Sequence, residues 1–262
     1  MRIKSNIILI LIFLLITPKV NAEMTATIEK LDQISDEALQ MVKLNRNDDA
    51  KRLLEYFSEQ FLSTTMKERF FSMDELRIVT VSHKEALEAV TNATINHKER
   101  VNKVTKFRLA IDAITSTHQP LWTEMEGQIM TAFNDVKEAA YNGENETFHL
   151  QLNSFLMLYE MIYPSLKINI PVETIQKLDA RINYIDHYRP QVLSEISSQH
   201  ELEALEADLK TIFSGVTEDE ADPSLWWVII STGSIIILTL SYVGWRKYKG
   251  DKQKQTSKSK HL

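Results

Sequence analysis

Histidine, carboxylate and hydroxyl side chains are where chemistry would start in this chain, and their spacing argues against most of it. Two imidazoles that share a metal on one helix face stand four residues apart. Among His83, His97, His118, His149, His187 and His200 no pair has that separation. His200-Glu201 begins as a zinc-protease helix would, but Ala204 stands where the second histidine belongs, so the motif fails. His149 falls in a strongly apolar stretch and reads as a core histidine. Paired carboxylates can act as general acid and base on a glycosidic bond, where separation in space defines the pair. Glu124 with Glu126 and Asp48 with Asp49 are neighbours of that kind, at a frequency an acidic chain produces by chance. Glu160 stands out because Tyr159 and Met161 flank it, although it falls near a helix end where it can reach solvent.

Glycine-rich phosphate loops and G-x-S-x-G are absent. There is no cysteine, which removes thiol catalysis, disulfide exchange and Cys-ligated zinc. The residues therefore read as those of a non-enzyme, with no catalytic, cofactor-binding or metal-ligating side chain and no cofactor. Two rival readings stay open at this point. One is a cell-wall-active hydrolase that uses carboxylates. The other is a ligand-sensing accessory subunit of another membrane protein, with a pocket near Tyr159, Glu160 and Trp122.

The elements that would position these side chains begin and end with apolar segments. Arg2 and Lys4 precede an uncharged run from Ile7 to Ile16, followed by Val20-Asn21-Ala22. That is a secretory signal with cleavage after Ala22, since ten apolar residues reach only ~15 Å as a helix, half of a ~30 Å hydrocarbon core. Leu225 to Trp245 carries no charge and spans ~31 Å as a helix, enough to cross. Trp226 and Trp227 open this segment and Tyr242 and Trp245 close it, placing amphipathic rings at both headgroup levels. Arg246 and Lys247 follow at once, with five more lysines behind them, so the tail is cytoplasmic and a stop-transfer anchor against anionic lipid. The predicted organisation is a signal peptide over 1–22, an extracytoplasmic helical domain over 23–215, an acidic linker over 216–224, a transmembrane helix over 225–245 and a basic cytoplasmic tail over 246–262.

Charge supports the same layout. The whole chain carries a net charge of -6. Setting aside Arg2, Lys4, Lys19, the seven tail cations and Asp251 leaves 20 basic against 35 acidic residues outside the membrane, near -15. Such a surface repels phosphate, so nucleic acid is not an expected partner. The expected partners are the lipid bilayer and an envelope protein.

Between the two ends, apolar residues recur at three and four, not two. Ile28, Leu31, Ile34, Ala38 and Met41 or Val42 make one helix face. Ala50, Leu53, Leu54, Phe57 and Phe61 make the next, across a turn at 45–48 whose small Ala50 resembles the close approach in a tetratricopeptide hairpin. Ser72 with Glu75 and Ser82 with Glu85 have capping-box spacing, and Asn96 with Glu99 imitates it. The β-branched Ile78-Val79-Thr80-Val81 between them is assigned to helix. Pro120 is expected to open a helix that Asn142-Gly143 stops, and Pro164 to end the nearly all-apolar helix from about Glu146 to Tyr163, the expected core element. Pro171 starts another, and Pro190 separates it from a last helix reaching Phe213. The fold class is all-α, a multi-helix bundle or a short helical-hairpin (TPR-like) array of seven to nine helices plus one C-terminal transmembrane helix.

The run from Ala38 to Phe61, the segments Glu75 to Thr80, His97 to Val101 and Phe107 to Ala113, and the Trp226-Trp227 entry to the last apolar segment resemble the YpjB sporulation protein family of endospore-forming bacilli. The resemblance covers nearly the full chain in length and layout. It implies a sporulation-associated protein in a cell membrane and brings no catalytic residues with it. The expected function is a membrane-anchored extracytoplasmic interaction or scaffold protein.

Overall fold

The structure, a computed structural model, describes residues 20–67, 71–116, 119–218 and 223–258. The predicted signal peptide falls mostly on residues 1–19, outside the described residues, and Val20 to Ala22 form the first turn of a helix. The described residues contain helices and no strand. They comprise α1 (Val20–Lys43), α2 (Asn47–Lys67), α3 (Met73–Thr91), α4 (His97–Thr115), a 3-10 helix (Leu121–Met125), α5 (Glu126–Tyr141), α6 (Asn145–Asn169), α7 (Val172–His187), α8 (Arg189–Ser194), α9 (Ile196–Glu218) and α10 (Pro223–Lys258). Two compact units divide the chain between Ser214 and Gly215.

The first unit is built from two four-helix rings. In the first ring α1 packs on α2, α2 on α3, α3 on α4 and α4 back on α1, around Leu31, Ile34, Ala38, Val42, Ala50, Leu54, Phe57, Val79, Ala86, Val104, Phe107 and Ile111. The return of α4 onto α1 excludes an open hairpin array here, because a solenoid repeat touches only its sequence neighbours. In the second ring α5 packs on α6 and α6 on α7. The ring is closed by α9, which reaches α7 through Lys177–Asp208 at 2.7 Å and Arg181–Asp208 at 2.8 Å, and α5 through Lys137–Glu206. The rings meet mainly along α4 on α6, with a smaller contact of α3 on α6. A helix that serves two cores needs apolar residues on more than one face, which is why α4 buries Val104, Phe107, Leu109, Ala110, Ile111 and Ala113 around its circumference.

Local chemistry sets the turns. Both hairpins that open a ring, α1–α2 and α5–α6, end their first helix in a Schellman motif. Asn45 N–H donates to Val42 O and Arg46 N–H to Met41 O; Gly143 N–H donates to Ala140 O and Glu144 N–H to Ala139 O. The left-handed residue is Asn45 at φ 58 in the first and Gly143 at φ 69 in the second, the two residue types that accept this conformation with least strain. Ser72 and Glu75 make a full capping box at α3, and Asn96 makes the side-chain half of one at α4.

Several sequence expectations are corrected. Ser82 does not start a helix; it lies inside α3 with its hydroxyl donating to Ile78 O at 2.9 Å, because burial of Val79 and Ala86 carries the helix through the β-branched run. Pro120 precedes a 3-10 helix and not an α-helix, and α5 proper starts at Glu126. Pro164 does not end α6, which continues to Asn169. An interior proline disfavours a helix by roughly 3 kcal/mol. Here Leu166 is buried beyond it, and Asn169 donates to Ala113 O and accepts from Trp122 Nε1, both at 3.0 Å, so tertiary contacts hold the last turn. The same helix is central as expected, yet not covered all round: Leu150 is 63% exposed.

Candidate functional site

The structure disperses most of the side chains singled out by type. His83 packs against Phe57 and Phe107 and bonds Leu54 O through Nε2 at 2.8 Å; burial pushes its imidazole below the ordinary range, against that hydrogen bond. His149 is half-buried, with Nδ1 3.1 Å from Arg189, and His200 sits beside Glu203 on the surface. His118 lies outside the described residues. Among the described residues no three His, Asp or Glu side chains converge as metal ligands. Glu124 and Glu126 are exposed, and Asp49 holds Arg46 and Arg52 in the first turn of α2.

Tyr159, Glu160 and Trp122 do not meet in one pocket. Tyr159 points across to α7, where its hydroxyl and that of Tyr163 each donate to Asp179 at 2.7 Å. Burial first, and then the Asp179 carboxylate, push Tyr163 up to about 12 and Tyr159 further up in the same direction. Trp122 is fully buried against Phe213, with ring centroids 5.4 Å apart. Glu160 turns the other way, to Lys103 at 3.5 Å and Lys106 at 3.3 Å. A helix presents adjacent residues about 100° apart, so neighbours in sequence face different partners.

The concave feature lies at the seam between the rings. A cleft of about 590 Å³ is floored by α4 and α6 and walled by α1 on one side and the 3-10 helix with the start of α5 on the other. Leu39, Leu109, Leu121, Met125, Leu158 and Met161 give it an apolar lining. A second recess of about 370 Å³ shares Lys98, Asn102, Met157 and Met161 with it and continues toward Lys103, Lys106 and Glu160. α4 and α6 are joined near their C-termini by Asn169 donating to Ala113 O, and toward their N-termini by Lys103 and Lys106 with Glu160 and by Asn102 Nδ2 to Met157 Sδ at 3.2 Å.

A buried charge cluster anchors one end of the cleft. Arg108, with a side chain 9% exposed, donates to Asp32 through both terminal nitrogens and lies 3.8 Å from Asp112 and, through Nε, 3.6 Å from Asp36. Asp112 accepts from the backbone N–H of Leu121 at 2.6 Å. Burial raises the Asp112 carboxyl above its ordinary range, against the Leu121 hydrogen bond and the Arg108 charge. Nothing in the spacing of Asp32, Arg108 and Asp112 marks this cluster in the sequence, apart from an arginine and an aspartate one turn apart on a largely apolar helix.

The second unit holds the residues expected at a membrane interface. Within α10, Ile229–Tyr248 is long and apolar enough to cross a bilayer. Ile229, Ile230, Ile235, Ile236, Ile237 and Leu240 are all exposed, as are Tyr242, Trp245, Arg246 and Lys247. The side chains of Trp226 and Trp227 lie outside the described residues, as do those of the lysines beyond Tyr248. The helix continues past the predicted boundary at Trp245 to Lys258.

Comparison with known proteins adds what the geometry cannot. A family model described as "Sporulation protein YpjB (SpoYpjB)" matches residues 28–257. A Bacillus subtilis (strain 168) protein named "Uncharacterized protein YpjB" is 33% identical over 256 residues, covering 97% of each chain. No solved structure matches.

Proposed function

The chain belongs to the YpjB sporulation protein family, and from that premise we propose that it is a membrane-tethered, non-enzymatic interaction protein of the envelope in a sporulating cell. Its two-ring helical unit faces away from the cytoplasm and engages another envelope protein, with α10 as the anchor. The observation that carries the tether is the exposure of Ile229, Ile230, Ile235, Ile236, Ile237 and Leu240: a core helix would bury these side chains in its own protein, and here they are uncovered. Tyr242, Trp245, Arg246 and Lys247 supply the aromatic and basic end of a span. The histidines and carboxylates singled out by type are dispersed and do not converge among the described residues, which favours a binding role over hydrolysis.

The test is a deletion strain scored for heat-resistant spores and complemented in two ways. The full chain restores sporulation, and a chain ending at Gly215, freed from the membrane, does not. Full sporulation without the gene, or complementation by the untethered chain, overturns the proposal.

A further inference from the structure

Lys43 and Lys98 line the cleft between the rings, both exposed and neither within ion-pairing reach of a carboxylate among the described residues. In an acidic unit, two unpaired ammoniums on one cavity are out of character. Their placement follows from the helix geometry. α1 and α4 run antiparallel, since Asp32 bonds Thr115 and Asp36 meets Arg108. From that contact Lys43 lies roughly 10 Å along α1 and Lys98 about 15 Å back along α4, in the same direction. The other end of the cleft carries Asp36, Glu124 and Arg108, whose guanidinium is taken up by Asp32 with Asp36 and Asp112 beside it, so that carboxylates stay in excess there. Between the two ends run Leu39, Leu109, Met125, Leu158 and Met161. The cleft is thus polarised: cationic at one end, anionic at the other, apolar between.

We infer that this cleft binds a single-chain aliphatic anion, with the chain along the apolar floor and the headgroup at Lys43 and Lys98. A volume of about 590 Å³ lies within the ordinary range for small-molecule sites, about 300–1,000 Å³. Met125, Met157 and Met161 supply unbranched, polarisable side chains that adapt to a flexible chain. Asp36 and Glu124 repel a headgroup from the far end and so set the ligand's direction. Ion pairing to two exposed lysines supplies the discrimination between anion and cation. An acidic peptide helix is disfavoured by the same geometry, because its repeated carboxylates meet Asp36 and Glu124 at the far end.

The experiment uses the full chain in zwitterionic lipid nanodiscs, with its methionine methyls labelled for NMR, titrated separately with octanoate, octyl phosphate and octylammonium. Saturable shifts confined to Met125, Met157 and Met161 with either anion support the site, and the tighter anion identifies the headgroup. K43Q/K98Q, which alters only exposed side chains, raises the midpoint about tenfold, equivalent to about 1.4 kcal/mol. Met41 and Met73, which do not line the cleft, stay unshifted and report that the fold and the nanodisc are undisturbed. Absence of saturable shifts with both anions, equal shifts with octylammonium, or an unchanged midpoint in K43Q/K98Q overturns the inference.

Discussion

Arg108 and Asp32, 76 residues apart in the chain, are joined by two hydrogen bonds, Nη1 to Oδ1 at 2.7 Å and Nη2 to Oδ2 at 3.2 Å. This pair closes the first ring, because it ties the last helix of that ring to the first. It also sets the end of the cleft, since Asp36 and Asp112 gather around the same guanidinium.

Arg108→Met keeps an unbranched apolar stem and removes the guanidinium with its charge. Asp32 and Asp112 then share a partly buried site without a counter-charge. Breaking a buried pair destabilises by about 3–5 kcal/mol, and Asp32 is a third exposed, so a loss near the bottom of that range, about 3 kcal/mol, is expected. Urea unfolding of the full chain measures it; a loss below roughly 1 kcal/mol, the ordinary value of a surface pair, contradicts the assignment.

Asp112 makes a pH-dependent contribution. Burial holds its carboxyl above the ordinary range, so the folded chain takes up that proton at a higher pH than the unfolded chain does. The resulting stabilisation is complete below the ordinary carboxylate range and is lost as pH rises through the raised folded value. Asp112→Asn retains an acceptor for Leu121 N–H and cannot titrate. The variant therefore lacks this acid-side component, and its stability rises relative to the parent from acidic to neutral pH. Parallel stability curves for the two proteins rule this out.

Tyr159 and Tyr163 share one acceptor, Asp179, and pin α6 to α7. With Asp179→Asn the charge that holds the tyrosyl protons is gone. Tyrosinate absorbance then shows Tyr163 ionising below its value of about 12. An unchanged alkaline titration means the hydroxyls are held elsewhere. Tyr159→Phe removes one bond to a charged acceptor, with an expected loss of about 1.5–3 kcal/mol.

The two Schellman turns give opposite outcomes from backbone changes alone. Gly143→Ala meets no neighbouring atom, so its effect is that of forcing φ 69 on a residue with a Cβ, about 1–2 kcal/mol of destabilisation. Asn45→Gly relaxes the same conformation and stabilises by a few tenths to about 1 kcal/mol. Thermal unfolding that moves in one direction for both contradicts the reading.

Much of this architecture is legible in the residues. The apolar faces at Leu31, Ile34, Ala38 and Val42 and at Ala50, Leu54 and Phe57 are the buried faces of the first ring. Asn142-Gly143 and Ser72 with Glu75 mark real boundaries, because a left-handed residue and a reciprocal cap act within a few residues of themselves. The boundaries at Ser82 and Pro164 misread the chain for the complementary reason: packing of Val79 and Leu166, and the bonds of Asn169, come from elements far away in sequence. Closure of α4 on α1, and hence the choice of bundle over hairpin array, rests on the distant pair Arg108 and Asp32. The cleft escapes the sequence entirely, since Lys43, Lys98 and Met161 become neighbours of one cavity only when two rings share a seam.

The tether and its orientation are the centre of this account, and the absence of native cysteine makes them directly measurable. Single cysteines are introduced at exposed Glu59 in α2 and at Gln253 in the predicted tail, and intact protoplasts are treated with a membrane-impermeant maleimide. The account predicts labelling of Glu59→Cys in the membrane fraction and no labelling of Gln253→Cys until the membrane is permeabilised. Labelling of Gln253→Cys in intact protoplasts, or protection of Glu59→Cys, contradicts it.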